Sequence, residues 1–427
     1  MILKVSPSKL SGSIKAPSSK SLSQRLIAAS LLANSPSRLI DFSECDDCTA
    51  AISMAAELGA EIELGSNGIQ VTPTPLSIPK PRTGKIDANE SGLGLRLFAP
   101  IAALSGHDIE ITAQGTLLNR PHPNLVNGLK AFGLDVESNS NKAPILIRGI
   151  LKGGEIEIDG SMGSQFISGL LLSLPFTDHD SIITVKNLVS RPYVEMTLEL
   201  MDGLGLKYDH NEHEHKDIFK IPANQCFDGL EIEVDGDWSA AATLLTLGAL
   251  CGQPELEVTG IRGTFTQADE GIKGALLFAG YHLLGTDGGI SISKKKPKPF
   301  HLDLTHSPDL FPTLAALAVF GKKPSKLRGV HRLRTKESDR SIVIQEEFAK
   351  AGIEIKIEDD TMIIIPSKIS PCRIDPRGDH RIAMAAAILG CAGATIEIID
   401  ADCVAKSYPA FFDDLAALGG QISSVVE

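Results

Sequence analysis

The sequence predicts an α/β protein of two pseudo-symmetric domains, each made of three repeats of about 72 residues. Three observations predict it. An amphipathic helix that stops at a glycine recurs six times along the chain. A segment that alternates apolar and polar residues follows it. A second, more apolar helix with a small or polar start precedes it at a constant phase. A period this long, containing both helix and strand, points to stacked α/β units rather than a thin helical solenoid.

The glycine-terminated helices end as Met54–Gly59, Leu129–Gly133, Met201–Gly205, Leu276–Gly280, Glu347–Gly352 and Leu415–Gly419; their glycines lie 74, 72, 75, 72 and 67 residues apart. Glycine just past a helix is the residue that accepts the left-handed closing conformation. Ala60–Leu64 and Ile353–Ile357 then alternate with period two, the mark of a half-buried strand. Ser66-Asn67-Gly68 and Glu358-Asp359-Asp360 supply hairpin turns. The earlier helices start near Lys20, Gly92, Gln165, Trp238, Asp309 and His380, at spacings of 72, 73, 73, 71 and 71. Each repeat therefore reads strand, helix, strand, helix, hairpin. Six repeats divide three and three near Val234-Asp235-Gly236.

The chain carries 41 Lys and Arg against 53 Asp and Glu, a net charge of −12. That balance argues against a broad nucleic-acid or membrane surface but permits a local basic pocket. Trp238 is the only tryptophan and there are four tyrosines, too few for base-stacking platforms. The longest apolar runs, such as Ala240–Cys251, are too short to span a bilayer. The start, Met1-Ile2-Leu3-Lys4, lacks a signal-peptide layout. Seven scattered cysteines fit reduced thiols and a cytoplasmic location.

Cations recur at two phases of the repeat. The first-helix starts include Ser18-Ser19-Lys20-Ser21 with Arg25 one turn on, Glu90-Ser91-Gly92 with Arg96, Ser164-Gln165, Asp237-Trp238, Ser307-Pro308-Asp309 and Asp379-His380-Arg381. Ser161 and Asp237 read as ordinary N-caps. Lys20 and Arg381 do not, because a cation opposes the positive end of a helix; a bound anion would satisfy both. The second-helix starts include Asn119-Arg120-Pro121, Ser190-Arg191-Pro192, Lys336-Glu337-Ser338-Asp339-Arg340 and Lys406-Ser407-Tyr408-Pro409. Arginine forks grip carboxylate and phosphate and lysine adds point charge, so the joint pattern predicts a binder of small polyanions.

Other motifs read as structure. Cys45-Asp46-Asp47-Cys48 has no further ligands at zinc spacing. His210, His213 and His215 fall where a hairpin turn is expected. Gly92-Leu93-Gly94 is not a complete nucleotide-binding fingerprint. The lysine run Lys294–Lys298 reads as a solvated exit from a strand pair.

Pro17-Ser18-Ser19-Lys20-Ser21-Leu22-Ser23-Gln24-Arg25 and Leu333-Arg334-Thr335-Lys336-Glu337-Ser338-Asp339-Arg340 resemble the two signatures of the 5-enolpyruvylshikimate-3-phosphate synthase family. Asn119-Arg120-Pro121, Ser164-Gln165-Phe166, Ser190-Arg191-Pro192-Tyr193, Ser307-Pro308-Asp309, Asp379-His380-Arg381 and Ala405-Lys406-Ser407-Tyr408-Pro409 match in order and spacing, over essentially the whole chain. The resemblance implies two domains of three βαβαββ units, an inside-out α/β barrel arrangement with the active site in the interdomain cleft. It implies a discontinuous domain of residues 1–16 and 236–427 and a second of residues 17–235. It implies transfer of the enolpyruvyl group of phosphoenolpyruvate to the 5-hydroxyl of shikimate 3-phosphate, with release of phosphate, by a monomer that needs no metal or organic cofactor. Carried over motif by motif, Lys20, Gly92, Arg120, Gln165, Arg340, Arg381 and Lys406 hold phosphoenolpyruvate. Ser21, Arg25, Ser164, Gln165, Ser190, Asp309 and Lys336 hold shikimate 3-phosphate. Asp309 and Glu337 are assigned to proton transfer, Lys20 and Lys406 to charge stabilisation.

Four places depart from the commoner family pattern. Glu90-Ser91 stands where Asn-Ala is frequent, Leu93 where a small hydroxyl residue is usual, Gly163 at the first place of a Ser-Ser-Gln triplet, and Arg332 where Asn is common. The alternatives are the sister enzyme that acts on UDP-N-acetylglucosamine, RNA 3′-terminal phosphate cyclase, and an inactive anion-binding protein on the same fold. The sister family typically has a reactive cysteine before its Arg-Pro-like segment, whereas no cysteine lies between Cys48 and Cys226 here. The cyclase reading sits poorly with the negative charge and lacks a nucleotidylated-histidine signature.

Overall fold

Gly59, Gly133, Gly205, Gly280, Gly352 and Gly419 all adopt positive φ, between 72° and 108°, directly after a helix. The repeat seen in the sequence is thus a repeat of backbone geometry, because at these positions a side chain would be strained. The computed structural model describes residues 1–74 and 78–425. These residues form twelve α-helices, two per repeat: α1 (Lys20–Ser30) and α2 (Asp46–Glu57), α3 (Gly92–Ala102) and α4 (Pro123–Ala131), α5 (Gln165–Ser173) and α6 (Arg191–Gly203), α7 (Trp238–Cys251) and α8 (Ile272–Phe278), α9 (Phe311–Val319) and α10 (Arg340–Lys350), α11 (His380–Ala392) and α12 (Phe411–Ala417).

The first helix of each repeat starts where the sequence places it in five cases out of six. The exception is α9: Pro308–Leu310 forms a 3₁₀ turn, and the α-helix begins only at Phe311. Three second helices start later than expected. Pro123, not Pro121, opens α4; Arg340 opens α10; and Lys406 closes a 3₁₀ segment five residues before α12. Arg120, Lys336 and Lys406 therefore lie in the segments leading into these helices, while Arg340 stands in the first turn of its own.

Strands from each repeat make one four-stranded sheet, and there are six such sheets among the described residues, with no hydrogen-bonded closure into a single barrel. In the second repeat Lys85–Asp87 runs parallel to Ile109–Thr112, which pairs antiparallel with Lys142–Arg148; that strand pairs on its other side with its hairpin partner Asp135–Asn139. The third and fifth repeats follow the same order. The first and fourth take their parallel strand from elsewhere: Glu231–Glu233 lies beside Ser37–Ile40, and Leu10–Lys15 beside Gly252–Thr259. The sixth takes Leu3–Ser6 between Ile396–Ile398 and Gln421–Ser424.

These exchanges divide the chain into two compact units. One is discontinuous, Met1–Pro17 plus the segment from Asp235 onward; the other is continuous, Ser18–Val234. The limits expected from the sequence lie one residue away at each crossing. Most of the first helices are apolar almost all round, as a helix enclosed by core usually is; α1 is the exception, burying Ser23, Gln24, Arg25 and Ser30. In α7, Leu244, Leu245 and Leu247 are fully buried, each contributing about 1.5–3 kcal/mol relative to exposure. In the continuous unit α3 and α5 approach closely at Gly169, where a Cβ would lie 2.7 Å from the Arg96 carbonyl oxygen. Only glycine allows that contact, which brings the starts of α3 and α5 into register.

Candidate active site

In the continuous unit, Ser19 caps α1 by accepting the Leu22 N–H, and Lys20 follows as the first helical residue. Lys20 Nζ lies 2.9 Å from Asp47 Oδ2, with both side chains largely buried. Asp47 sits in the first turn of α2, where a carboxylate is favoured by the helix dipole. The sequence pointed to a bound anion as the counter-charge of Lys20; the protein itself supplies one. Arg25, one turn on, is 1% exposed. Its guanidinium donates to Thr197 Oγ1 at 2.9 Å, the Ser21 carbonyl at 2.8 Å, Ser168 Oγ at 3.2 Å and the Tyr193 carbonyl at 3.0 Å. All four acceptors are neutral. Burial accordingly pushes the pKa of Arg25 down to about 10, the signature of a cation whose desolvation is not offset by a carboxylate.

Gly92 opens α3 after the cap Ser91, whose hydroxyl accepts the Gly94 N–H and donates to Gln24 Oε1. A Cβ on Gly92 would lie 3.1 Å from Nη1 of both Arg96 and Arg120. The missing side chain is what lets two guanidinium groups meet there. Arg96 also donates to Gln165 Oε1 at 2.6 Å and to the Gly92 carbonyl at 3.0 Å. Gly92, Arg120 and Gln165 thus come together around Arg96, which the sequence places in the recurring cation pattern but not among the residues assigned to a substrate. Its spacing of four from Gly92 on one helix was the available signal.

Ser164 precedes α5, buried and without a side-chain capping bond. Ser190 precedes α6 in the left-handed conformation, φ 55°. Next to it Arg191 forks onto Asp217 at 2.7 and 2.9 Å, and His210 Nε2 reaches the same carboxylate at 2.8 Å while stacking on Phe219. The histidine cluster is therefore in a hairpin, as expected, and one of its members braces the turn that presents Ser190. Ser161 is not an N-cap of α5; it donates to Asp159 instead, whereas Asp237 does cap α7.

Two departures from the family pattern have structural reasons. Glu90 Oε2 accepts both the N–H and the hydroxyl of Thr116 at 3.0 Å, tying the loop that leads to Arg120. Gly163 has φ 127°, where a serine would be strained. Leu93 is buried; nothing in the structure explains its choice over a hydroxyl residue.

The discontinuous unit holds a denser cluster. Asp309 receives Arg340 Nη1 at 2.8 Å and Lys336 Nζ at 3.2 Å, and Arg381 Nε lies 3.6 Å away. Arg340, fully buried, also donates to Asp379 at 2.9 Å and to Glu337 at 2.6 Å. Asp379 caps α11 through the Arg381 N–H and accepts from Ser338. Lys406 Nζ donates to the Gly378 carbonyl at 3.1 Å. Burial alone would raise the pKa of Asp309, but Lys336, Arg381 and Arg340 hold it well below the usual carboxylate range. Burial lowers that of Lys336 despite Asp309. Arg332, the fourth departure, is also buried, and Asp309 acts on its charge.

Asp269 joins this cluster from the turn before α8, where no spacing in the sequence singled it out. It is 1% exposed and accepts from the Ser239 hydroxyl. Burial, then the charge of Asp309, raise its pKa to about 6, against the pull of Arg381. A carboxyl whose folded pKa exceeds its ordinary 3.8 stabilises the fold when protonated. That contribution is complete below about pH 4 and is lost as pH rises through about 6. Asp269→Asn is therefore expected to remove on the order of 1 kcal/mol of the stability lost between about pH 5 and 7.5, measured by urea unfolding. An unchanged difference between the two pH values would contradict this.

Each unit thus carries cations held at fixed distances from carboxylates or neutral acceptors, in surroundings from which water is largely excluded. Such an array is chemically suited to receiving anions and to stabilising developing negative charge. Among the described residues no group of three or more His, Cys, Asp and Glu is placed to hold a metal ion. No helix among them is long and apolar enough to cross a membrane.

The model of the family described as EPSP synthase (3-phosphoshikimate 1-carboxyvinyltransferase) matches residues 5–415. The chain is 34% identical over 425 residues to the 3-phosphoshikimate 1-carboxyvinyltransferase of Methanocorpusculum labreanum, covering 99% of both chains. It is 36% identical over 427 residues to that of Korarchaeum cryptofilum, covering 98% of both. Among solved structures, an EPSP synthase from Acinetobacter baumannii superposes with a TM-score of 0.82 at 22% identity, covering 99% of this chain and all of that one. The enolpyruvyl transferase NikO from Streptomyces tendae superposes with a TM-score of 0.77 at 16% identity, over all of this chain and 99% of that one. At those identities the two structures speak to the fold.

Proposed function

Since the chain belongs to the EPSP synthase family, we propose that it transfers the enolpyruvyl group of phosphoenolpyruvate to the 5-hydroxyl of shikimate 3-phosphate, releasing phosphate. The observation that carries this reading is the full-length likeness to relatives of that name, in a chain that keeps the charged clusters in both units. On this reading Lys20, Gly92, Arg120, Gln165, Arg340, Arg381 and Lys406 hold phosphoenolpyruvate. Ser21, Arg25, Ser164, Gln165, Ser190, Asp309 and Lys336 hold shikimate 3-phosphate.

In the addition step the 5-hydroxyl oxygen bonds to the phosphate-bearing carbon of phosphoenolpyruvate, its proton leaves to a base, and a proton adds to the methylene to make a methyl group. In the elimination step the methyl group loses a proton, the carbon–oxygen bond to phosphate breaks, and phosphate departs. Asp309, kept ionised by its three cations, is the base of the first step. Glu337 is the second proton-transfer group. Lys20 and Lys406 stabilise charge on the phosphate and carboxylate. No step requires a metal or organic cofactor. We read the protein as a cytoplasmic monomer; size-exclusion chromatography with light scattering tests the monomer.

Phosphate release from phosphoenolpyruvate, with shikimate 3-phosphate or UDP-N-acetylglucosamine offered separately, tests the reaction and its acceptor. Release with shikimate 3-phosphate alone is expected; release with the nucleotide sugar, or with neither, overturns the reading. Arg25→Gln is expected to weaken shikimate 3-phosphate binding about 10- to 100-fold, as loss of hydrogen bonds to a charged group does, in calorimetric titration. Glu337→Gln is expected to lower kcat about 10²-fold while leaving substrate binding in place; an unchanged kcat would remove the residue from proton transfer.

A further inference from the structure

The discontinuous unit contains a cavity of about 630 Å³. Its wall includes Leu250, Val319, Phe320 and Ala392, which are the last residue but one of α7, the last residues of α9 and α11, and the residue after α9. Asp309 and Arg381 belong to the opposite ends of these helices. With 14 residues in α7, the two ends are about 20 Å apart. The cavity is therefore separate from the charged cluster.

Its rim is basic. Lys294, Lys295, Lys296 and Lys368 line it together with Pro297 and Pro366, and no carboxylate is among the lining residues. Lys294, Lys296 and Lys368 are exposed, while the ammonium of Lys295 donates to the Gly280 carbonyl at 2.7 Å. Lys322 and Lys323 stand exposed on the turn beyond Gly321, itself a lining residue. This is a concentration of positive charge in a chain of net charge −12. Lysines also complement the negative ends of helices, and three such ends meet here. That role accounts for the charge but not for an open apolar cavity beneath it.

We propose that this cavity is a second binding site, for a small organic anion with an apolar body. The volume falls within the range of small-molecule sites, roughly 300–1,000 Å³. The apolar helix ends would bury the body of the ligand, and the lysine ammonium groups at the rim would pair with its carboxylate, sulfonate or phosphate. The lysine run read from the sequence as a solvated exit is, on this view, one wall of the site.

The test is a fluorescence titration of the full chain with 8-anilinonaphthalene-1-sulfonate. Saturating phosphoenolpyruvate and shikimate 3-phosphate are present, so that the charged clusters are occupied. Saturable binding of one probe per chain is expected. A variant combining Lys294→Gln, Lys296→Gln and Lys368→Gln, which keeps the wall and removes the charge, is expected to bind about tenfold or more weakly, with its phosphate-release rate unchanged. The uncharged probe N-phenyl-1-naphthylamine is expected to bind the unaltered protein less tightly than the sulfonate. No saturable binding, equal affinity in the triple variant, or equal affinity for the uncharged probe would each overturn the proposal.

Discussion

Asp309→Asn is expected to lower kcat toward the upper end of the roughly 10²–10⁴-fold that a positioned acid or base supplies. The change keeps the size of the side chain and removes its charge. Asp309 is the point on which Arg340, Lys336 and Arg381 converge, at 2.8, 3.2 and 3.6 Å. On the proposed mechanism the substrate hydroxyl then loses its proton acceptor, and the three cations lose the carboxylate they converge on. Both effects fall on the addition step. Shikimate 3-phosphate should still bind, because the neighbouring cations remain and one negative charge has gone. Steady-state phosphate release, paired with calorimetric binding of shikimate 3-phosphate, separates the two. A kcat within tenfold of the parent would show that Asp309 positions groups but accepts no proton.

Arg340→Met is expected to cost the discontinuous unit about 3–5 kcal/mol, the usual penalty for breaking a buried ion pair from one side. Arg340 and Asp379 are both fully buried, 2.9 Å apart. Removing the guanidinium leaves Asp379 charged in a dry site, with Ser338 and the Arg381 N–H as its remaining donors. Adding Asp379→Asn should return part of the loss, since the orphaned charge rather than the missing contact dominates it. The double variant is then more stable than Arg340→Met alone, a non-additivity that marks a coupled pair. The protein's only tryptophan, Trp238, lies in this unit, so urea unfolding followed by its fluorescence reports on the right half. Two variants of equal stability would assign the loss to packing.

Much of this architecture is legible in the sequence because two local rules repeat with it. A glycine favours the left-handed closure that ends a helix, and a helix enclosed by core is mostly apolar unless, like α1, it buries a hydrogen-bonded arginine. Where local rules compete, the reading slips. Pro308 and Pro312 bracket Asp309, and the chain takes a 3₁₀ turn before α9 settles into an α-helix. Pro121 and Pro123 both satisfy a helix start, and the chain uses the second. The strand exchanges are not legible in the repeat itself; only the family resemblance implied that the first residues belong to the other half. Glu231–Glu233 is only three residues long, and its place beside Ser37–Ile40 depends on a partner almost 200 residues away. The site shows the same division. The cations are visible because they share a phase. Their partners Asp47, Asp217 and Asp269 come from other elements, at positions no periodicity marks.

The borrowed strands also set an order of events during synthesis. The continuous unit, Ser18–Val234, contains every strand its sheets need and is ready to fold once its last residue has emerged. Met1–Pro17 emerges before that unit but belongs to the other half: Leu10–Lys15 waits for Gly252–Thr259, and Leu3–Ser6 for Ile396–Ile398 and Gln421–Ser424. Leu10–Lys15 is therefore left with an unpaired edge until Gly252–Thr259 has been made, and Leu3–Ser6 until Ile396–Ile398 has. Exposed strand edges of this kind invite wrong partners. Of the two halves, the one that carries Asp309 and Arg340 is the last to be completed, and the one most dependent on the chain's first residues staying free until then.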